Sequence, residues 1–202
     1  MTKRYWSRIA ADGTWLAADP HTGRPLGPPP GEDLAALRAG LGREAGEVPE
    51  MWRFYTCPVD DRLARRGQLS IEQRAEHAAL ALYGLHQQSK RTSMHDPRFP
   101  LGKALYRLRI SQRFSPQAVD ARVNAAATTT SPGALLIRLR GLIDQLRVID
   151  QPLDYDGLMR LIQDWHHEDR RRRARRRLAV EYQVWAGRDD ESPATPASQT
   201  PG

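Results

Sequence analysis

Lys90, Arg91, Lys103, Arg107 and Arg109 crowd into one loop-and-helix unit, with Asp96 as the only acid between them. The unit opens on Leu85-His86-Gln87-Gln88-Ser89-Lys90-Arg91 and closes on Pro100-Leu101-Gly102-Lys103-Ala104-Leu105-Tyr106-Arg107-Leu108-Arg109. A polar, basic loop thus sits between two apolar-periodic segments, and the charge continues onto the second. Cations clustered this way suit a surface that meets phosphates. A solvated loop between two core helices is the plainer alternative. Lys103 and Arg107 are four apart and share a helix face, as do Arg109 and Arg113 if the helix continues that far. Further along, Arg140 and Arg147 are seven apart and return to nearly one azimuth, whereas Arg138 and Arg140 leave a helix about 200° apart. Such stripes are what sequence-independent contact with a phosphate backbone requires.

A second cationic feature is denser. Arg170, Arg171, Arg172, Arg173, Arg175, Arg176 and Arg177 fill all but one of eight positions, with Ala174 between them. At about 100° per residue these positions wrap a helix more than twice, so no single groove meets every one. Asp164, Glu168 and Asp169 are placed to pair with some, and some stems can lie on apolar surface. The sequence leaves open whether the run meets nucleic acid or partner proteins.

Other chemistry-bearing residues form no constellation. His95-Asp96 resembles the dyad of metal phosphohydrolases but lacks further His and Asp ligands. His166 and His167 are adjacent, so on a helix they diverge by about 100° and chelate poorly, unlike an i, i+4 pair. Asp150, Asp154 and Asp156 are spaced loosely like a calcium loop without its turn glycine or closing Glu; helix capping explains them better. Phosphate-binding glycine loops are absent. Cys57 has no His nearby and sits by an aromatic knot, which suggests a buried thiol. The expectation is a protein without catalytic activity, metal or cofactor.

The 202 residues carry a net charge of +7, distributed unevenly. Residues 61–147 hold fifteen basic and six acidic side chains, an excess larger than that of the whole chain. A local excess points to a polyanionic partner rather than to solubility alone. No apolar run reaches the roughly 18 residues of a membrane span, and no signal-peptide core follows the first basic residues. One cysteine excludes an internal disulfide framework. A cytoplasmic chain without membrane contact is expected.

The elements that must position these residues read as helices. Residues 1–31 mix Trp6 and Trp15 with Gly and Pro and end in Pro28-Pro29-Pro30, an irregular arm whose tryptophans can be pinned to the body. Leu34, Leu37 and Leu41 give a short amphipathic piece, and Met51, Trp52, Phe54 and Tyr55 an apolar knot. Ser70 with Gln73 forms a capping box. The helix it opens aligns Ala75, Ala78, Ala79, Leu82 and Leu85, with Arg74 at the polar edge. Pro100 suits the first turn of the next helix, with the stripe Leu101, Leu105, Leu108. Ser115-Pro116 and Ser131-Pro132 start two more, the second carrying Leu135, Leu136, Leu139, Leu142, Ile143 and Leu146. Asp154 can cap a helix with Leu158, Leu161, Ile162 and Trp165, and Asp156 would lie near its positive end. A last helix holds Leu178, Tyr182 and Trp185. The predicted class is all-α, an irregular bundle of roughly seven or eight helices over residues 32–187. Residues 188–202, acidic and rich in Pro, Ser and Thr, read as a disordered tail.

With these residues in view, the chain resembles the CasB family, the small subunit of type I-E CRISPR Cascade complexes. The matching pieces are Leu34-Ala35-Ala36-Leu37-Arg38, Met51-Trp52-Arg53-Phe54-Tyr55, Leu85-His86-Gln87-Gln88, Pro100 to Leu105, Arg113-Phe114, Leu135 to Leu146, and Leu153-Asp154-Tyr155 through Trp165 towards Trp185-Ala186. Each is weak alone; their order over roughly residues 32–187 is specific. The arm from Trp6 to Pro30 is similar to the start of actinobacterial-type members. The resemblance implies an all-helical, non-catalytic subunit that sits as a homodimer within a ribonucleoprotein for antiviral defence. Its implied partners are guide RNA, target DNA including the displaced strand, a large subunit and helical backbone subunits. It implies contacts at Arg74, Lys90, Arg91, Lys103 and Arg122, more loosely at Arg140, and a role in holding an R-loop open. The Arg170–Arg177 run is denser than the family pattern.

Three other readings compete. A free-standing helix-turn-helix regulator would want Asn, Gln or Ser beside Arg on a recognition helix, and the Lys103–Arg109 segment offers mainly Arg and Lys. An enzyme on a helical scaffold would need the missing constellation. A purely structural packing subunit would turn its arginines towards protein carboxylates.

Overall fold

The computed structural model describes residues 4–10, 12–20 and 22–189, with side chains as far as residue 183. Its helices are α1 Gly31–Arg38, a 3-10 turn Pro49–Phe54, α2 Asp61–Ala64, α3 Ile71–Gln87, α4 Leu101–Ile110, α5 Pro116–Thr128, α6 Pro132–Val148, α7 Tyr155–Trp165 and α8 Glu168–Asp189. The expected all-α bundle is what forms. Among the described residues, β-structure is limited to isolated bridges, two of them within the arm. The start of the acidic tail proves helical, since α8 runs to Asp189; residues 190–202 lie outside the described residues.

Side-chain caps start four of the helices, α2, α3, α5 and α6. Ser70 accepts from the Gln73 N–H at 3.1 Å, and Gln73 Oε1 accepts from the Ser70 N–H at 3.0 Å, a complete capping box. Ser115 and Ser131 accept from Ala118 and Ala134, each with proline in the first turn. Two helix starts differ from expectation. Pro100 precedes α4 instead of opening it, and the Gly102 N–H is capped from afar by Glu181 Oε2 at 3.2 Å. Asp154 holds the N-cap position of α7 but makes no capping bond; its carboxylate faces Arg160 at 3.5 Å. Asp150 serves the opposite end of a helix. With φ of 54° it is the left-handed residue after α6, where the Gln151 N–H reaches the Leu146 carbonyl at 3.1 Å.

α3 is the axis of the bundle. It packs against α1, α6 and α7 and is buried from Ala75 to Gly84 on every face. Its apolar stripe therefore understates it, and Leu85, assigned to the stripe, is only half-buried. Close approach to α1 depends on Gly84, where a Cβ would stand 2.7 Å from the Leu37 Cβ. α4 meets α8 the same way at Gly102, where a Cβ would lie 2.9 Å from the Leu178 carbonyl oxygen. The knot at Met51 is divided: Met51 and Phe54 are buried, Tyr55 is half-buried and Trp52 points outward. Cys57 is half-buried rather than enclosed.

The arm is part of the core. Trp6 is fully buried against Tyr83, Tyr155 and His95, and its indole N–H donates to Asp156 Oδ1 at 3.1 Å. Arg4 pairs with the buried Glu76, and the Trp15 indole N–H donates to the Arg91 carbonyl at 2.7 Å. Emptying the Trp6 site leaves a cavity at a junction of α3, α7 and the loop before α4. Trp6→Ala is expected to lower stability by about 3–5 kcal/mol, and the half-buried Trp15→Ala by clearly less. Chemical denaturation of both variants checks this; equal, small losses would contradict the arm's place in the core.

Candidate nucleic-acid interface

The loop that carries Lys90 and Arg91 is less open than its composition suggests. Ser93, Met94, His95 and Asp96 are buried. The strand-like stretch is zipped to residues before α7: the Leu153 N–H donates to Met94, the Asp96 N–H to Leu153 and the Asp154 N–H to Phe99, at 3.1, 3.1 and 2.7 Å. Gln87 spans the loop, accepting from the Met94 N–H at 2.8 Å and donating to Thr92 at 2.9 Å. His95 and Asp96 do not work together. His95 Nδ1 accepts from the Tyr155 N–H at 3.2 Å, while Asp96 is held by Arg98 at 2.7 Å. Among the described residues no group of three or more His, Cys, Asp or Glu could hold a metal ion.

The structure sorts the cations by whether the fold already uses them. Lys90 is used: it pairs with Asp150, and its side chain is 18% exposed. Its position on the loop is fixed by a carboxylate sixty residues away, at the end of α6. Lys103 is half-buried, with Nζ 3.4 Å from the Arg98 carbonyl and over the Phe99 ring. Arg109 is bound to Asp120 at 3.1 Å, and the Tyr182 hydroxyl donates to the same carboxylate at 2.6 Å, so it joins α4, α5 and α8. α4 ends at Ile110 and Gln112 turns left-handed at φ 57°, so Arg113 does not continue the Arg109 face. Arg147 shares the α6 azimuth of Arg140 but pairs with Asp144 at 2.9 Å.

The remainder are exposed. Arg74, Arg91, Arg107, Arg113, Arg122 and Arg140 make no side-chain hydrogen bond or ion pair among the described residues. Arg107 lies on the outward face of α4, Arg122 on α5, and Arg113 on the turn between them. Arg91 is presented by the loop whose carbonyl Trp15 holds. Arg74 and Arg140 line a separate groove with Arg43 and His166. Burial, then Arg74 and His167, hold His166 below its ordinary value, so it adds no charge there at neutral pH. Charge counting passes over Arg43, because it follows a glycine turn in a segment without cationic excess.

The arginine run divides the same way. Ala174 is its one buried member, and Arg171 and Arg175 flank it on the inner side. Arg175 donates to the Thr129 and Thr128 carbonyls at 2.6 and 3.1 Å with its guanidinium over the Trp165 ring; Arg171 donates to Thr130 at 3.2 Å. These bonds satisfy carbonyls that the end of α5 leaves without helical partners. Arg172 pairs with Glu168, and Arg177 faces Asp164 at 3.5 Å. Arg170, Arg173 and Arg176 are left exposed without a partner among the described residues.

The interior that holds this surface carries titratable groups. Burial would raise Glu76, but N–H donors from Thr56 and Cys57, the Thr56 hydroxyl and Arg4 outweigh it and hold the carboxyl below its ordinary range. His77 is neutral in its niche: burial lowers it, Nε2–H donates to Gly40 and Arg43, and Nδ1 accepts from Tyr55 at 2.7 Å. Burial pushes His86 down to about 3 and lowers His95 as well.

Fold and surface together define an all-helical protein, with arginines left unmatched by carboxylates among the described residues. Residues 33–182 match the family described as CRISPR-associated protein Cse2, and the chain belongs to that family. Among solved structures it is similar to CasB from Thermobifida fusca, at 27% identity and TM-score 0.60 over 75% of this chain and 84% of that one. A Cse2-family protein from Thermus thermophilus shares 22% identity, TM-score 0.56, over 76% and 86% of the two chains. A chain of a CRISPR RNA-guided surveillance complex gives 24% identity and TM-score 0.57 over 79% and 87%. None of the curated proteins matches the sequence. The arm before residue 33 lies outside the family match.

The buried groups set a pH dependence. Burial holds His77, His86 and His95 below the ordinary 6.5 in the folded chain, so the unfolded chain takes up protons that the folded chain refuses. Stability is complete above pH 6.5 and falls as pH drops, for His86 down to about 3, by about 1.4 kcal/mol per pH unit per group. Glu76 acts in the same direction lower down, losing its contribution as pH falls below 4.5 through its folded value. Denaturant midpoints should drop steeply between pH 7 and 5, and His86→Gln should flatten the slope. Stability constant across that range would contradict the assignment.

Proposed function

We propose that this chain is the non-catalytic small subunit of a type I-E CRISPR surveillance complex in antiviral defence, binding nucleic acid through its phosphate backbone and stabilising the R-loop. The observation that carries the reading is the set of exposed arginines Arg91, Arg107, Arg113 and Arg122, without a partner among the described residues and all in the segment that holds most of the charge excess. Family membership supports the setting, and a similar solved chain belongs to a CRISPR RNA-guided surveillance complex. In this reading the partners are guide RNA, target DNA with its displaced strand, the large and backbone subunits, and a second copy of the chain.

The mechanism is electrostatic. R-loop formation exchanges one duplex for another of similar stability, so a few contacts shift the balance. A displaced strand has no fixed sequence, and the arginines offer charge without a base-reading pattern. Lys103 contributes from its seat on Phe99, whereas Lys90, Arg109 and Arg147 position the loop and helices that present the others.

The test is a complex reconstituted with Arg107→Ala/Arg113→Ala/Arg122→Ala. The complex should assemble normally, while permanganate footprinting of the displaced strand shows collapse faster by about ten-fold or more, from three screened contacts of order 1 kcal/mol or somewhat less each. In the isolated protein the salt slope of log K should fall by about 0.7–0.9 per phosphate contact removed. An intact complex with an unchanged R-loop lifetime would reject these arginines as the interface.

A further inference from the structure

A groove of about 380 Å³ opens where the turn after α1 meets α3, α6 and α7. Its floor is aliphatic, with Ala81 from α3, Leu136 from α6 and Ile162 from α7. Arg43, Arg74 and Arg140 line its rim, none with an ion-pair partner among the described residues, against one acid, Glu44. Beside Leu136 on α6 stands Ile137, 76% exposed and the most exposed large apolar side chain described.

This combination differs from a phosphate track. Phosphates need cations and tolerate water, and an aliphatic trough beneath adds nothing to their binding. A base inserted from a single strand would want an open aromatic face to stack on; no Phe, Tyr or Trp lines the groove, and of its two imidazoles His77 is buried and held by Tyr55, Gly40 and Arg43 while His166 is half-buried. A trough of methyl and methylene groups matches a branched aliphatic side chain. Three guanidiniums around it match carboxylates, which they bind in forked geometry. A second copy of this chain, at net charge +7, is the less complementary occupant.

We propose that this groove docks an acidic segment of another protein subunit, one that places a Leu, Ile, Val or Met side chain on the floor between carboxylates held by Arg43, Arg74 and Arg140. Arg74 and Arg140 then anchor protein rather than nucleic acid. The proposal rests on the reading of this chain as one subunit of a larger complex, and it separates the cations of the groove from those of the α4–α5 surface.

The experiment uses the full complex, purified through a tag on a different subunit, with this chain as wild type, Ile137→Asp or Arg74→Glu/Arg140→Glu. All three changed residues are exposed, and melting curves of the isolated variants verify the fold. Retention of this chain should fall about ten-fold or more in both variants, while Ile137→Asp leaves the affinity of the isolated chain for a poly-dT oligonucleotide within two-fold of wild type. Full retention of both variants overturns the proposal. So does a parallel loss of poly-dT affinity in Ile137→Asp, which assigns the groove to nucleic acid, or a lower dimer fraction in sedimentation with retention kept, which assigns it to a second copy. Absence of the wild-type chain from the complex would remove the subunit reading itself, and this proposal with it.

Discussion

The enclosure of α3 is the constraint on which the rest of the structure depends. A helix buried on all sides has no solvent for its polar groups, and α3 carries Glu76 and His77 at its centre. A buried carboxylate without donors costs several kcal/mol, so the walls must supply them. Thr56 and Cys57 give backbone N–H groups to Glu76, the arm gives Arg4, and the turn after α1 gives the Gly40 and Arg43 carbonyls to His77. Three irregular segments are thereby fixed by two side chains. The arm then places Trp15 against the loop of Arg91, so a buried carboxylate determines where an exposed cation is displayed.

The same logic of partners separates the cations. An arginine that satisfies carbonyls or carboxylates of its own fold has given up its donors, and an external phosphate would have to displace them. Arg171 and Arg175 close the end of α5, Arg109 ties three helices at Asp120, and Lys90 is held by Asp150. Arg107, Arg113 and Arg122 compete with nothing inside the described protein. Density of charge along the chain is thus a poor guide to which cations face outward: in the Arg170–Arg177 run four members are engaged within the fold and three are exposed.

What the sequence made legible is what is local. Capping at Ser70, Ser115 and Ser131 lies within four residues of its cause, and the leucine stripe of α6 is a property of one helix; both emerge as read, save that Leu136 is half-buried at a groove. The order of short motifs was enough to indicate the family. The misses share a long reach. Lys90 meets a carboxylate from the end of α6, Pro100 gives way to a cap from α8, and the polar loop at Ser93–Asp96 is buried by pairing with residues before α7. Glu76 and His77 have no period that marks them as interior, because their burial comes from neighbours distant in sequence. Arg113 shares a face with Arg109 only if the helix continues; α4 ends at Ile110, and the left-handed Gln112 that follows has no mark in the sequence.

The central claim is that partnership within the fold distinguishes structural from displayed cations. The most direct measurement compares melting temperatures of Arg171→Ala/Arg175→Ala and Arg170→Ala/Arg173→Ala/Arg176→Ala, five arginines of one helix. The double variant should melt about 3–8 °C below wild type, since it exposes carbonyls at the end of α5 and uncovers Trp165. The triple variant, despite losing more charge, should melt within about 1 °C of wild type. Equal shifts, or a larger loss in the triple variant, would contradict the claim.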